Sequence, residues 1–312
     1  MSYVFGPVPS RRLGRSLGVD LVPFKTCTYD CIYCQLGQTT NKTLQRREWV
    51  PLGDVVAEVK DKLSSRPDYI TLSGSGEPTL YSRIDELIDR VRSMTSIPVA
   101  VLTNGSLLWQ EEVRRQLMDA HLVIPSLDAG DRLTFSVVNR PHSGVSYEEM
   151  VDGLVAFRNE YYGEYWLEVL LLAGYTAIPA ETHKLADRVR RIKPDRVQLN
   201  TVSRPPAEDY AMAVDRQRLA ELAAIFEPPG EVIAEFRGVY AQSDFAASRE
   251  SVWEMLQRRP CSIDDIAEGL GMHRNEAAKY VEELSADQRL QKRWSGGELY
   301  LAVQEGKRNG GI

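Results

Sequence analysis

Short apolar runs alternate with amphipathic stretches over most of this chain, and that alternation limits the folds open to it. The runs Leu17–Val22, Tyr69–Ser73, Val99–Thr103, Leu122–Ser126, Leu167–Leu172 and Val197–Thr201 are rich in Val, Leu and Ile, as strands buried on both faces are. Val55–Leu63, Leu80–Met94, Trp109–Met118, Tyr147–Tyr161, Ala180–Ile192 and Asp215–Phe226 carry apolar residues at helical spacing. Repeated βα units predict an α/β fold with a parallel sheet, either a partial (β/α)6 TIM-like barrel or an open doubly wound sheet. In both, ligands collect at the C-terminal strand ends. The polar, glycine-rich segments fall there: CTYDCIYC after the first run, then GSGEP (Gly74–Pro78), TNGS (Thr103–Ser106), SLDAG (Ser126–Gly130), AGYT (Ala173–Thr176) and NTVSRPP (Asn200–Pro206).

The texture changes after about Val239. GVYAQSDFAASRES has no strand signal and reads as a linker. Three helix-like pieces follow, Ser248–Gln257, Ser262–Leu270 and Asn275–Asp287, with Ser262 and Asp265 as a helix start and Gly269-Leu270-Gly271 as a turn. QKRWSGGELYLAV then predicts a two-stranded ribbon turning at Ser295-Gly296-Gly297. That order is the order of a winged helix. The expected organisation is a barrel over 1–240, a linker at 241–247, a winged-helix-like domain over 248–304 and a disordered tail at 305–312.

A formal net charge of −6 gives no global basic footprint for nucleic acid. No apolar run approaches the roughly 20 residues that span a bilayer, and MSYVFGPVPSRRLG lacks a signal-peptide core. The expectation is a cytoplasmic protein without a membrane partner. In a reducing compartment clustered cysteines point to metal or catalysis rather than disulfides.

Three of the four cysteines, Cys27, Cys31 and Cys34, lie in KTCTYDCIYCQLG, and the fourth is Cys261. Zinc normally takes four ligands, often as two pairs. No second pair exists, and none of the histidines (His121, His142, His183, His273) is near the loop in sequence. Three thiolates leave one metal position open, as an iron–sulfur cluster with one exchangeable iron would. Structural zinc and metal-free thiols are the alternatives.

C-x3-C-x2-C after the first strand of a βα repeat resembles the signature of the radical S-adenosylmethionine (radical SAM) superfamily, over roughly residues 15–240. The resemblance implies that Cys27, Cys31 and Cys34 hold a [4Fe–4S] cluster whose open iron is chelated by S-adenosyl-L-methionine (SAM). It implies an oxygen-sensitive enzyme fed by an external electron donor such as flavodoxin or ferredoxin, in which a 5′-deoxyadenosyl radical takes hydrogen from a substrate. Tyr33 stands where an aromatic packs near the adenine. GSGEP resembles the GGEP motif, with Ser75 in place of the usual Gly and with Gly74, Gly76 and Glu77 as cofactor-binding candidates. Thr103, Asn104, Ser126 and Asp128 fall at positions that contact SAM in relatives. Taken singly, Asn104-Gly105 is a turn signal and Ser126 and Asp128 are helix-capping types; their shared placement at strand ends makes the functional case. The resemblance also implies that the strand ends around Leu171–Gly174 and Leu199–Val202 flank the adenosine; Glu168 and Asn200 are cofactor-binding candidates because a carboxylate in LEVLLL, and likewise an amide in VQLNTV, is costly to bury unpaired.

FGPVPSRRLGRSLGVDLVP resembles a subgroup of prokaryotic radical SAM proteins related to wybutosine-synthesis enzymes, without their flavodoxin-like domain. Arg11, Arg12 and Arg15 could grip phosphate or carboxylate, or be structural pairs. His142 is a candidate proton donor or substrate contact, alongside Glu168 as a catalytic candidate. Cys261 stands alone. The C-terminal unit, with only Arg274 and Lys279 early in its third helix, suits RNA, a peptide or protein, or a lid over the barrel. The substrate expected is a macromolecule, either RNA or peptide/protein. Two other readings are an iron–sulfur electron-transfer protein, which leaves GSGEP and TNGS unexplained, and a redox-sensing winged-helix regulator, which wants a more basic third helix.

Overall fold

The computed structural model describes residues 2–233 and 248–303. The expected linker at 241–247, the barrel residues expected after 233 and the expected tail at 305–312 lie outside them. In chain order the barrel region runs β1 (Val4–Ser10), β2 (Gly14–Val19), a two-residue ladder of β3 (Thr26–Cys27) and β4 (Asn41–Lys42), α1 (Leu52–Lys62), β5 (Tyr69–Leu72), α2 (Ile84–Met94), β6 (Val99–Thr103), α3 (Glu111–Gln116), β7 (Leu122–Pro125), α4 (Arg132–Val138), α5 (Tyr147–Glu160), β8 (Glu164–Leu170), α6 (Pro179–Ile192), β9 (Arg196–Asn200), α7 (Arg216–Ala223) and β10 (Gly230–Val232).

One sheet takes the strands in the order β1-β2-β5-β6-β7-β8-β9-β10. All neighbours are parallel except the β1–β2 hairpin. The order never reverses, so the sheet has no switch point of the doubly wound kind; of the two sheets the sequence left open, it fits the partial barrel. Curvature follows from one contact. Arg12, in the β1–β2 turn, pairs with Glu168 on β8 at 2.5 Å. Four strand spacings separate β2 from β8, ~19 Å if flat at ~4.8 Å each, which is beyond the reach of an arginine and a glutamate.

Alternation along each strand sorts its side chains. Ile70, Leu72, Val99, Val101, Val123, Leu167, Val169, Val197 and Leu199 enter the main core shared with the helices. Thr71, Leu102, Ile124, Glu168 and Asn200 take the other parity and line a cavity on the concave face.

Besides the two-residue ladder of β3 and β4, three elements escaped the sequence reading. β1 contains two prolines, which remove ladder donors, but as an edge strand paired only with β2 it tolerates them. β10 is three residues long and extends the sheet beyond β9. α4, N-capped by Asp131 accepting from the Thr134 N–H, buries only Phe135 and Val138 and so leaves little periodic signal.

The C-terminal unit holds α8 (Arg249–Arg258), α9 (Ile263–Leu270), α10 (Arg274–Leu284) and a hairpin of β11 (Leu290–Ser295) and β12 (Glu298–Val303). Ser262 and Asp265 form a reciprocal capping box at α9, and Gly271 ends that helix in the left-handed region. Gly296 and Gly297 turn the hairpin with φ of 57° and 81°. The unit has its own core around Val252, Leu256, Ile266, Ala277 and Leu301, against which Val8 of β1 packs. Arg258 pairs with Asp20 and donates to the Ser2 carbonyl at 2.8 Å, Arg204 pairs with Asp265 at 3.2 Å, and the Tyr300 hydroxyl donates to the Ser203 carbonyl at 3.2 Å. Among the described residues no helix is long and apolar enough to cross a membrane.

Candidate active site

The cavity measures ≈500 Å³ and gathers the strand ends. Its lining holds two groups, Cys27, Tyr33, Cys34, Gly74–Glu77 and Asn104 around the cysteine loop (the cysteine end) and Arg11, Arg12, Arg204, Arg258 and Arg259 around the β1–β2 turn and the C-terminal unit (the arginine end), joined where Asp20 touches both Ser75 and Arg258.

The cysteine loop is fastened by backbone. Lys25 N donates to Ser75 O at 2.7 Å, Glu77 N to Thr26 O at 3.1 Å, Cys34 N to Cys31 O at 3.1 Å, and His142 N to Thr28 O at 2.8 Å. These bonds seat it on the loops after β5 and α4. Gly74 and Gly76 serve that seating. A Cβ on Gly76 would come within 1.8 Å of the Thr26 carbonyl, and one on Gly74 within 1.8 Å of Asp20 Oδ1. Their missing side chains therefore admit protein atoms, where the sequence suggested an approach to ligand.

Burial pushes the Cys27 thiol up to about 12 and raises Cys31 and Cys34 above the ordinary thiol range. Such thiols are poor nucleophiles on their own, whereas a bound metal deprotonates a coordinating thiol outright. Among the described residues no three His, Cys, Asp or Glu side chains converge as a site for a single ion; a cluster asks instead for one thiolate per iron. Two asparagines donate to the sulfurs, Asn104 Nδ2 to Cys27 Sγ and Asn139 Nδ2 to Cys31 Sγ, each at 3.5 Å. The Tyr29 hydroxyl and Asn139 Oδ1 are buried without a partner among the described residues. An orphaned hydroxyl donor in a loop of three thiols fits an anionic iron–sulfur group.

Two buried carboxylates near the loop are consumed by protein. Glu77 Oε1 accepts from Thr79 N at 3.0 Å, Thr79 Oγ1 at 2.6 Å and Thr103 Oγ1 at 2.6 Å, while Oε2 accepts from Asn104 N at 2.7 Å. GSGEP and TNGS are thus tied together through one buried side chain. Burial still raises its proton affinity, against those four donors. Asp128 accepts from Leu170 N at 3.0 Å, from Asn139 Nδ2 at 2.9 Å and, in a short contact, from the Tyr33 hydroxyl. Burial holds its carboxyl up at about 6 despite these donors. Asp128 is not part of the cavity lining; it fixes Tyr33, which is.

Glu168, Thr103, Asn104, Ser126 and Asn200 all line the cavity. Glu168 is paired, with Arg12 at 2.5 Å and with Asn200 Nδ2 at 2.9 Å. Burial pushes its carboxyl up, and Arg12, Asn200 and Arg11 more than offset that, so it lies below the usual range. His142 does not line the cavity; its Nδ1 accepts from Gly144 N at 3.1 Å within its own turn. Cys261 is buried in the C-terminal unit, its backbone paired with Leu301. Arg15 donates to Ser65 O at 2.8 Å, outside the cavity. Sequence reasoning missed Asp20, Arg204, Arg258 and Arg259. The one legible hint was a charged residue inside an otherwise apolar strand, as Asp20 is in LGVDLV.

Comparison with known proteins agrees with this arrangement. The Radical SAM superfamily matches residues 21–189. The UPF0026 protein MJ1312 of Methanocaldococcus jannaschii is 36% identical over 82% of this chain and 81% of its own. A protein named GTPase Obg of Brachyspira hyodysenteriae is 37% identical over 96% of this chain, which spans only 45% of that relative. Among solved structures, a radical SAM methyltransferase from Sphaerobacter thermophilus superposes with a TM-score of 0.55 at 19% identity, covering 73% of this chain and 69% of that one. SuiB of Streptococcus suis, solved bound to S-adenosylmethionine, gives 0.52 at 16% identity over 74% of this chain and 53% of its own. Three cysteines on the loop after the first parallel strand, the tied strand-end motifs and these matches agree: the chain belongs to the radical SAM superfamily, with the UPF0026 proteins among its relatives.

Proposed function

We propose that this chain is a radical SAM enzyme that cleaves SAM reductively and uses the product radical on a substrate held at the arginine end of the same cavity. The observation that carries the reading is one cavity of ≈500 Å³ whose lining holds Cys27 and Cys34 together with Glu168, Asn200 and five arginines. The family's cofactors are a [4Fe–4S] cluster and SAM; the chemistry they supply when bound is a one-electron cleavage giving a 5′-deoxyadenosyl radical that abstracts hydrogen. Cys27, Cys31 and Cys34 would hold the cluster, with Asn104 and Asn139 donating to two of the sulfurs. Backbone groups of Gly74–Gly76, the Ser126 side chain and the Tyr33 ring would meet SAM, with Glu168 and Asn200, which pair with each other and with Arg12 and Arg11, facing the same cavity; Glu77, Thr103 and Asp128 are spent on holding the loops.

The C-terminal unit is read as a winged-helix-like domain. Its contacts through Arg258, Asp265 and Tyr300 support a wall or lid over the barrel's open side. A macromolecular substrate, RNA or peptide, would insert one residue past it. An external reductant such as flavodoxin or ferredoxin, in a reducing cytoplasm, completes the proposal.

The test is anaerobic. The protein is reconstituted with iron and sulfide, reduced with dithionite and given SAM, and 5′-deoxyadenosine is quantified beside a Cys31→Ala control. Product from the wild type alone is expected. A cluster whose spectrum ignores SAM, with no product, would overturn the proposal in favour of an electron carrier.

A further inference from the structure

The arginine end of the cavity is over-supplied with positive charge. Arg12 is balanced by Glu168, Arg258 by Asp20 and Arg204 by Asp265. Arg11 is left with neutral partners, Asn200 Oδ1 at 3.0 Å and, in a short contact, Ser203 Oγ. The Arg259 guanidinium lines the cavity with no hydrogen bond or ion pair among the described residues. Among the described residues five guanidiniums thus face three carboxylates, an excess of two positive charges. Glu77, the other carboxylate of the lining, sits at the cysteine end and is already bonded to Thr79, Thr103 and Asn104.

One geometric observation, with the electrostatics beside it, points to a missing acceptor among the described residues. Arg204 has a side chain only 12% exposed, and its Nε is buried with no partner among the described residues. Burial, and after it the charge of Arg204, pushes Arg11 down to about 10; burial and then Arg259 lower Arg204. Buried donors without acceptors and like charges held together are costly unless an anion joins them.

We propose that Arg11, Arg204 and Arg259 form a binding site for a phosphate monoester group of the substrate, assembled across the junction of the barrel and the C-terminal unit. A phosphate monoester carries close to two negative charges at neutral pH and three acceptor oxygens, which matches the excess charge and the planar forks of the arginines. A carboxylate, including that of SAM, brings a single charge and leaves one cation unmatched. The site stands on the arginines alone; that its ligand is the substrate rests on the radical SAM reading above. An unphosphorylated peptide would leave the site empty.

The experiment is calorimetric titration of inorganic phosphate into the full chain at low ionic strength and pH 7.5. One site per chain is expected, with binding weakened at least tenfold by Arg259→Ala and at least tenfold weaker for acetate than for phosphate. Arg11→Lys, which keeps the charge and loses the fork, is expected to weaken binding severalfold and serves as the second variant should Arg259→Ala misfold. Absence of phosphate binding to the wild type, equal binding of acetate, or displacement of phosphate by SAM would each overturn the proposal, the last by assigning the arginines to the cofactor's carboxylate. Phosphate binding retained in protein that forms no 5′-deoxyadenosine would instead overturn the catalytic reading and leave the anion site standing.

Discussion

The two ends of the cavity handle charge in opposite ways. At the cysteine end two buried carboxylates are surrounded by neutral donors: Glu77 by Thr79, Thr103 and Asn104, and Asp128 by Tyr33, Asn139 and the Leu170 N–H. These are satisfied knots, and they stiffen the loops that carry the cysteines. At the arginine end cations outnumber anions and one buried Nε lacks an acceptor. At the first end the carboxylates are satisfied by protein, and the buried Tyr29 hydroxyl and Asn139 Oδ1 beside the cysteines are what remains without a partner among the described residues. The second is electrostatically incomplete, which is the state expected of a site that awaits an anion.

That contrast can be broken by substitution. The largest effect is expected at Glu77. Replacing it with Ala strips the acceptor from four buried donors and should cost roughly 4 kcal/mol; urea unfolding measures it, and a loss below about 1 kcal/mol would show that the knot is ornamental. Asp128 comes next. Its folded carboxyl keeps a proton up to about 6, above the ordinary 3.8, so as pH rises the unfolded chain releases that proton first. The stability this group contributes is full below pH ~4 and is lost between pH ~4 and ~6, by roughly 3 kcal/mol. Unfolding of cluster-free protein at the two ends of that window, beside Asp128→Asn, isolates the slope; identical slopes for both proteins would refute it. The smallest effect is expected at the other end of the cavity. Arg259→Ala removes a repelling charge and no bond, so the melting temperature without phosphate should hold or rise by an equivalent of at most ~0.5 kcal/mol. A clear drop would mean that Arg259 supports the fold.

The same contrast explains what could be read in advance. Cysteine-end residues sit in contiguous motifs that follow strands, so CTYDCIYC, GSGEP and TNGS announced themselves, as did the parallel strands through their Val and Leu content. Their inner-face polar residues, Glu168 and Asn200, were also visible as breaks in apolar runs. The arginine end joins residues 189, 61 and 238 positions apart, as Arg11 with Asn200, Arg204 with Asp265, and Arg258 with Asp20. No local pattern encodes such pairs; they follow from how far the sheet curls and where the C-terminal unit docks. The roles of Glu77 and Asp128 were hidden for a related reason. Sequence placed both beside the cofactor, and only packing reveals that their oxygens are already taken.

Asp20 is the point where the two ends meet. Its Oδ1 accepts from Ser75 N at 2.7 Å and occupies the space a Cβ on Gly74 would need, while its Oδ2 takes Arg258 of α8. Residues 20, 74 and 258 are therefore one coupled unit. A side chain at position 74, where φ is +113°, would both strain the backbone and evict the anchor of α8. The glycine in GSGEP answers to the docking of the C-terminal unit as much as to the loop it belongs to.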